Sequence, residues 1–250
     1  LARPTAIKRF DALKTHTLRT NALGTIQALE IAEKYGARVV FASSSVVYGG
    51  RDANRLFFNE EDEGVVDHTS PRAAYDEGKR FAESACVTYQ QTRGVDTRIA
   101  RIFRTYGPRM PLFDGHLIPD FIMNALDGKP LVIYGDDHFK TSLVYVDDVV
   151  DALIKLMSVE ENPGPVNVGS DTDMLIVDVA NMILEQTSSS SSVTFEPPLP
   201  FLTELGLPRI ALAREALGWL PLTRIQDGLA RTIEDVRANR ILLSNLYKTS

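Results

Sequence analysis

The chain has 250 residues, 44% hydrophobic and 24% charged, proportions that supply a full apolar core and exclude disordered, collagen-like and coiled-coil readings. With 27 basic against 33 acidic side chains the net charge is -6, which leaves no electrostatic footprint for nucleic acid or an anionic membrane, so any anionic ligand must be held by a few local cations. The single cysteine, Cys86, allows neither an internal disulfide nor a Cys-rich zinc site; a reducing, cytoplasmic setting is the default, and no apolar run approaches the roughly 20 residues of a membrane span.

The chain opens on Leu1 rather than Met, and Leu1 to Thr5 reads as the interior of a longer sequence. Leu13, Leu18, Ala22, Leu23, Ile26, Leu29 and Ile31 recur at helical spacing and predict a helix over 11–35, stopped by Gly36. Val39-Val40-Phe41-Ala42, after Arg38, is the short apolar run of a parallel strand covered on both faces. It breaks into a polar loop over 43–50, and residues 51–70 read as an irregular surface connection. A helix follows over 71–93, closed by Gly94, then a strand over 96–103 and a Gly- and Pro-bearing loop over 104–115. Residues 116–126 predict an amphipathic helix that admits Pro119 only in its first turn.

Strands over 131–134 and 141–146 flank a turn at Gly135-Asp136-Asp137. Asp147-Asp148 reads as the cap of the next helix, where carboxylates meet the positive helix end. A strand over 165–168, a helix over 175–185, a flexible surface loop at Ser188–Ser192 and helices over 211–217 and 223–239 complete the chain.

Helix, buried strand and polar loop in alternation is α/β grammar. The pattern predicts a Rossmann-like, doubly wound parallel sheet with a smaller C-terminal substrate-binding lobe. Residues 1–110 are taken as half of a dinucleotide-binding domain, and 111–250 mainly as the lobe, with segments returning to the sheet. Ligands in such folds sit beyond the carboxyl ends of the strands, which singles out the loops after Ala42 and Phe103. The 16 glycines never fall as Gly-x-Gly-x-x-Gly or Gly-x-x-Gly-x-x-Gly, so the Gly-rich part of a dinucleotide fold is missing from these residues.

Tyr75 and Lys79 stand four residues apart, on one face of the predicted helix. An ammonium about 4–5 Å from a phenol, at an effective dielectric near 20, favours the phenolate by roughly 3–4 kcal/mol, the direction a general base requires. Ser44, at the end of the first strand, is placed to bond the same substrate oxygen. His16, His68, His116 and His138 have no metal-ligand spacing, and no metal site is expected. Cys86 and Trp219 read as packing residues.

These motifs resemble one family, the extended short-chain dehydrogenase/reductases that modify nucleotide sugars. The likeness lies in Ala42-Ser43-Ser44-Ser45-Val46-Val47-Tyr48-Gly49, in Tyr75-x-x-x-Lys79, in Ala100 to Arg109, in Val144 to Asp148 and in Leu217-Gly218-Trp219, in order along nearly the whole chain. Tyr75 to Arg80 is most similar to UDP-glucuronate decarboxylases. The resemblance implies an NAD cofactor, with NADP as the alternative, and transient oxidation of a sugar at C4. In it Tyr75 is the base, Lys79 holds the cofactor ribose and Ser44 positions the hydroxyl. It further implies cofactor contacts at Ala2, Ala42, Ser43 and Thr105, substrate contacts at Asn21 and Ser45, and a homodimer through helices 11–35 and 75–93. Decarboxylases carry glutamate where Val46 stands, arginine at Thr141 and a basic residue near Gly206; dehydratases carry an Asp-Glu pair at Ser45-Val46. The acid-free serine loop is similar to the epimerase pattern, so an epimerase is the first expectation, a decarboxylase-like enzyme the second, and a non-catalytic nucleotide-sugar- or partner-binding member the third. Arg104, where relatives have asparagine, is expected to supply charge for a diphosphate together with Arg109, Lys140 and Arg209, the alternative for each being a solvated surface cation.

Overall fold

The computed structural model describes residues 10–51, 54–112, 114–199 and 204–246. Helix α1 (Phe10–Arg19) runs through a π-helical turn at Thr20–Gly24 into α2 (Thr25–Tyr35). One regular helix was expected here; the extra residue per turn instead buries Asn21. The first strand, β1 (Val39–Ser44), passes into a 3-10 turn at Ser45–Tyr48, and a short β2 (Phe57–Phe58) interrupts the irregular connection. Next come α3 (Ala73–Arg93), β3 (Thr97–Ile102) and β4 (Thr105–Tyr106). Helix α4 (Leu117–Leu126) takes Pro119 in its first turn, followed by β5 (Leu131–Tyr134), β6 (Lys140–Thr141) and β7 (Val144–Tyr145). The C-terminal part adds α5 (Val146–Ser158), β8 (Pro165–Val168), β9 (Met174–Leu175), α6 (Ile176–Thr187), β10 (Val193–Glu196), β11 (Leu207–Pro208), α7 (Ala211–Leu217) and α8 (Ile225–Leu246).

Three strands form a parallel sheet in the order β1-β3-β8, registered from Val39 against Thr97 to Ser44 against Ile102, and from Ile99 against Pro165 to Ile102 against Val168. Leu29, Ala32 and Cys86 from α2 and α3 pack with Val95 and Ile99 on one face. On the other, Val149, Ala152 and Leu156 of α5 join Leu217 and Trp219 against Ala100, Val166 and Val168. Helices on both faces make the sheet doubly wound, as expected, and β8, α5 and α7 are the segments that return to it. A separate core joins α4, α6 and α8 with β5 through Phe121, Ile122, Leu131, Val179, Ile183 and Ile233.

Tight turns reverse the chain at the amino ends of the strands. Gly36 and Gly94 end α2 and α3 at φ of 61° and 69°, left-handed values that glycine adopts without a Cβ penalty. There Arg98, buried within β3, donates from Nε to Asp96 at 2.6 Å and from its other nitrogens to the carbonyls of Glu160 and Glu161. Arg38 reaches the other Asp96 oxygen at 2.6 Å.

Four expectations need correction. The strand over 141–146 is two short pairings, β6 with β9 and β7 with β4. Asp147 and Asp148 do not cap α5: the helix starts one residue earlier, and the Asp148 carboxylate instead accepts the N–H of Thr223 at 3.1 Å. The Ser188–Ser192 tract is tied down rather than loose. Ser188 ends α6 in a left-handed conformation, Ser189 Oγ donates to the Ala125 carbonyl at 2.8 Å, and the chain then enters β10 beside β5. The 43–50 stretch is a strand end and a buried turn, because Val46, Val47 and Tyr48 point inward.

Candidate active site

Helix α3 packs along β1 and β3, and its C-terminus feeds the amino end of β3, so it runs antiparallel to both strands. Lys79 Nζ donates to the Ala42 carbonyl at 2.6 Å and lies 4.7 Å from the centre of the Phe41 ring. This anchors the helix face at a known level of β1. Tyr75 is one turn nearer the carboxyl end, about 6 Å of helix rise, and Ser44 is two strand residues nearer, about 6.6 Å. By these rises the first turn of α3, which carries Tyr75, comes level with Ser44 at the end of the strand. Ser44 is half-buried and opens the 3-10 turn, its Oγ accepting the Val46 N–H at 3.5 Å. The hydroxyl proton stays available to a ligand. Tyr75, Lys79 and Ser44, separated by up to 35 positions of sequence, thus share one strand end.

A buried polar network lies beneath them. Ser43 Oγ donates to Glu83 at 2.5 Å, and Glu83 accepts from Arg101 Nε and, at 2.8 Å, from Nη2. Arg101 Nη1 also donates to the Tyr48 hydroxyl at 2.8 Å and to the Glu60 carbonyl at 2.7 Å. The Tyr48 O–H donates to Asn167 Oδ1 at 2.8 Å, and the Asn167 N–H donates to the Glu60 carboxylate at 2.9 Å. Burial pushes the Tyr48 phenol up to about 12 against the pull of Arg101, and it pushes the Glu60 carboxyl up as well. Tyr48 therefore serves as a fixed neutral donor. The network joins β1, α3, β3, β8 and the 51–70 connection directly behind the serine segment.

Of these residues only Ser43 was an expected site contact; Glu83, Arg101, Tyr48, Asn167 and Glu60 were not, although Arg101 carried a signal: a charge inside an apolar strand needs a buried partner, and Glu83, one turn after Lys79, lies within reach.

The other expected contacts divide. Ala42 is exposed on β1, but the Ser43 hydroxyl is turned inward to Glu83 and only its backbone remains for a cofactor. Ser45 is buried in the 3-10 turn. Asn21 is buried against α3, where a Cβ on Gly78 would lie 2.9 Å from Asn21 Nδ2, and that Nδ2 has no hydrogen-bond partner among the described residues. Thr105 Oγ1 bonds the Phe103 carbonyl at 3.1 Å. Arg109 is exposed at φ 65°, with its N–H on the Asp235 carboxylate, and Lys140 is exposed. Arg209 is exposed and stacks 3.8 Å from the centre of the Phe57 ring. These three match solvated cations better than ligand groups. Ala2 lies outside the described residues.

An ammonium bridged to a strand carbonyl, a serine hydroxyl and a phenol are groups that bind ribose and nicotinamide oxygens. The residues present fit that end of a dinucleotide.

The family profile described as "NAD dependent epimerase/dehydratase family" matches residues 1–169. The chain belongs to this family. It is 37% identical over 234 residues to UDP-glucuronic acid decarboxylase 1 of Danio rerio, covering 94% of this chain and 55% of that protein. Among solved structures it is similar to the epimerase Mth375 of Methanothermobacter thermautotrophicus, at 27% identity and a TM-score of 0.87 over 97% of this chain and 72% of that one. It is also similar to MoeE5 in complex with UDP-glucuronic acid and NAD, at 29% identity and a TM-score of 0.77 over 89% and 72%. The chain thus spans about half the length of the curated relative it matches.

Proposed function

We propose that this chain carries the substrate-side half of an NAD-dependent enzyme that transiently oxidises a nucleotide sugar at C4, with inversion at C4 as the outcome. The observation that supports it is the Lys79–Ala42 hydrogen bond at 2.6 Å, from which the rise of helix and strand carries Tyr75 toward the level of Ser44. Tyr75 takes the proton of the C4 hydroxyl, while the Ser44 O–H donates to the same oxygen as it becomes a carbonyl. NAD, when bound, would supply the acceptor for the C4 hydride and the donor for its return. Lys79, fixed on the strand, holds the ribose and presents its charge to the phenol. Return of the proton from Tyr75 after the ketone turns its other face gives the epimer.

Two features support epimerisation over loss of carbon dioxide. No acid stands in the serine segment, where Val46 is buried. At Gly206, any side chain would collide with the Phe58 ring at 2.0 Å. Decarboxylation is the second reading, favoured by the 37% identity to a UDP-glucuronic acid decarboxylase. The exposed Leu18, Leu23 and Ile31 on the first helical rod, with Phe81 and Val87 on α3, support a homodimer joined through these helices.

The test uses the full-length protein with NAD and either UDP-glucose or UDP-glucuronate, the products being resolved by NMR. A C4 epimer is expected, and Tyr75→Phe abolishes its formation without altering the circular dichroism spectrum. Release of carbon dioxide selects the second reading, and full activity in Tyr75→Phe refutes both.

A further inference from the structure

Of the four cations that the sequence offered for an anionic ligand, Arg109, Lys140 and Arg209 are exposed and Arg104 is half-buried. It follows β3 at the strand end where Ile102 is registered against Ser44. Its carbonyl is used by the Val144 N–H, while its guanidinium meets no carboxylate or other acceptor among the described residues. The charge next to it is another arginine. Burial, with the repulsion of Arg72, lowers the Arg104 pKa to about 10.

Arg72 immediately precedes α3, three residues before Tyr75 and so on the same side of the helix start. Its Nε is buried with no hydrogen-bond partner, and its one carboxylate contact, Nη2 to Asp76, is long at 3.5 Å. Two half-buried guanidinium groups therefore stand at the same end of the sheet, with Asp76 as the acid bonded to Arg72. An unpaired buried donor such as the Arg72 Nε calls for a missing acceptor. The fork of an arginine is matched by the paired oxygens of a carboxylate or phosphate.

We propose that Arg72 and Arg104 form an anion clamp beside Tyr75 that grips a pair of negatively charged oxygens on the bound sugar nucleotide. The proposal deepens, and rests on, the reading of the site given above. Those oxygens are either a carboxylate carried by the sugar or the diphosphate that joins it to the nucleoside, and one experiment separates the sources.

The measurement is calorimetric binding of UDP-glucuronate, UDP-glucose and UDP to the full-length protein with NAD, in a Tyr75→Phe background that stops turnover. Adding Arg104→Gln is expected to weaken binding roughly 10- to 100-fold, the range for a lost hydrogen-bonded charge contact. It is also expected to leave the melting temperature unchanged, because the half-buried Arg104 side chain makes no hydrogen bond among the described residues for the fold to lose. A loss confined to UDP-glucuronate assigns the clamp to the sugar carboxylate, and an equal loss for all three assigns it to the diphosphate. Arg72→Lys keeps the charge and loses the fork, so a smaller loss with the same ligand ranking supports the clamp should Arg104→Gln fold poorly. Unchanged binding of all three ligands in both variants overturns it. Turnover by the Tyr75→Phe parent would instead break the reading of the site, while the clamp is judged on binding alone.

Discussion

Glu83→Gln tests whether the buried network holds the serine segment. The substitution keeps the shape and one acceptor but removes the charge that faces Arg101, whose side chain is 13% exposed against 11% for Glu83. Arg101 then retains the Tyr48 hydroxyl and the Glu60 carbonyl, and no carboxylate. Outright removal of one partner of a buried ion pair costs about 3–5 kcal/mol; the amide oxygen recovers part of this, which puts the variant at about 2–4 kcal/mol. For a chain of this size each kcal/mol moves the melting temperature by about 2–4 °C, so a drop of roughly 5–15 °C is expected. Thermal unfolding followed by circular dichroism reads it directly. Glu33→Gln is the control, since the Arg93–Glu33 pair is 3.7 Å apart with side chains 62% and 38% exposed, and exposed pairs contribute little. Turnover should fall as well, because Ser43 loses its anionic partner and Ser44 follows it on the strand. A melting temperature for Glu83→Gln indistinguishable from the control would show that the charge does not hold this segment.

Two further outcomes follow from the pKa shifts. Burial raises the Cys86 thiol to about 12, with the Glu83 charge acting in the same direction, so a thiol reagent at pH 8 should label the protein only after denaturation, and rapid labelling of the native protein would contradict the packing. The Asp96 carboxyl is held below its ordinary 3.8, first by its hydrogen bond from Arg98; its contribution is present above that value and is lost as pH falls through the folded pKa. Asp96→Asn should melt below wild type at pH 7 and pH 5, and the gap should close below about pH 4; a gap constant with pH would refute the linkage.

The serine segment shows why part of the site could be read from sequence and part could not. A Tyr and a Lys four apart share a helix face because helical spacing is local, whereas the contact of Lys79 with the Ala42 carbonyl of β1 is set by tertiary packing. The serines at 43–45 looked equivalent while they were taken as a loop. Once β1 extends through Ser44, successive side chains point to opposite faces, and the pair must divide: Ser43 goes in to Glu83 and Ser44 is left for a ligand. Where a strand ends therefore decides which hydroxyl can be catalytic, and that end is set by a long-range register, Ser44 against Ile102. The cations follow the same logic. Arg104, Arg109, Lys140 and Arg209 cannot be ranked by residue type. Their surroundings rank them: Arg209 is occupied by a Phe57 ring and Arg109 and Lys140 stand in solvent, whereas Arg104 is half-buried and feels the charge of a second arginine. Anything negative that arrives there relieves the repulsion between the two, which is why the arrangement bears on the ligand in a way that residue type alone does not.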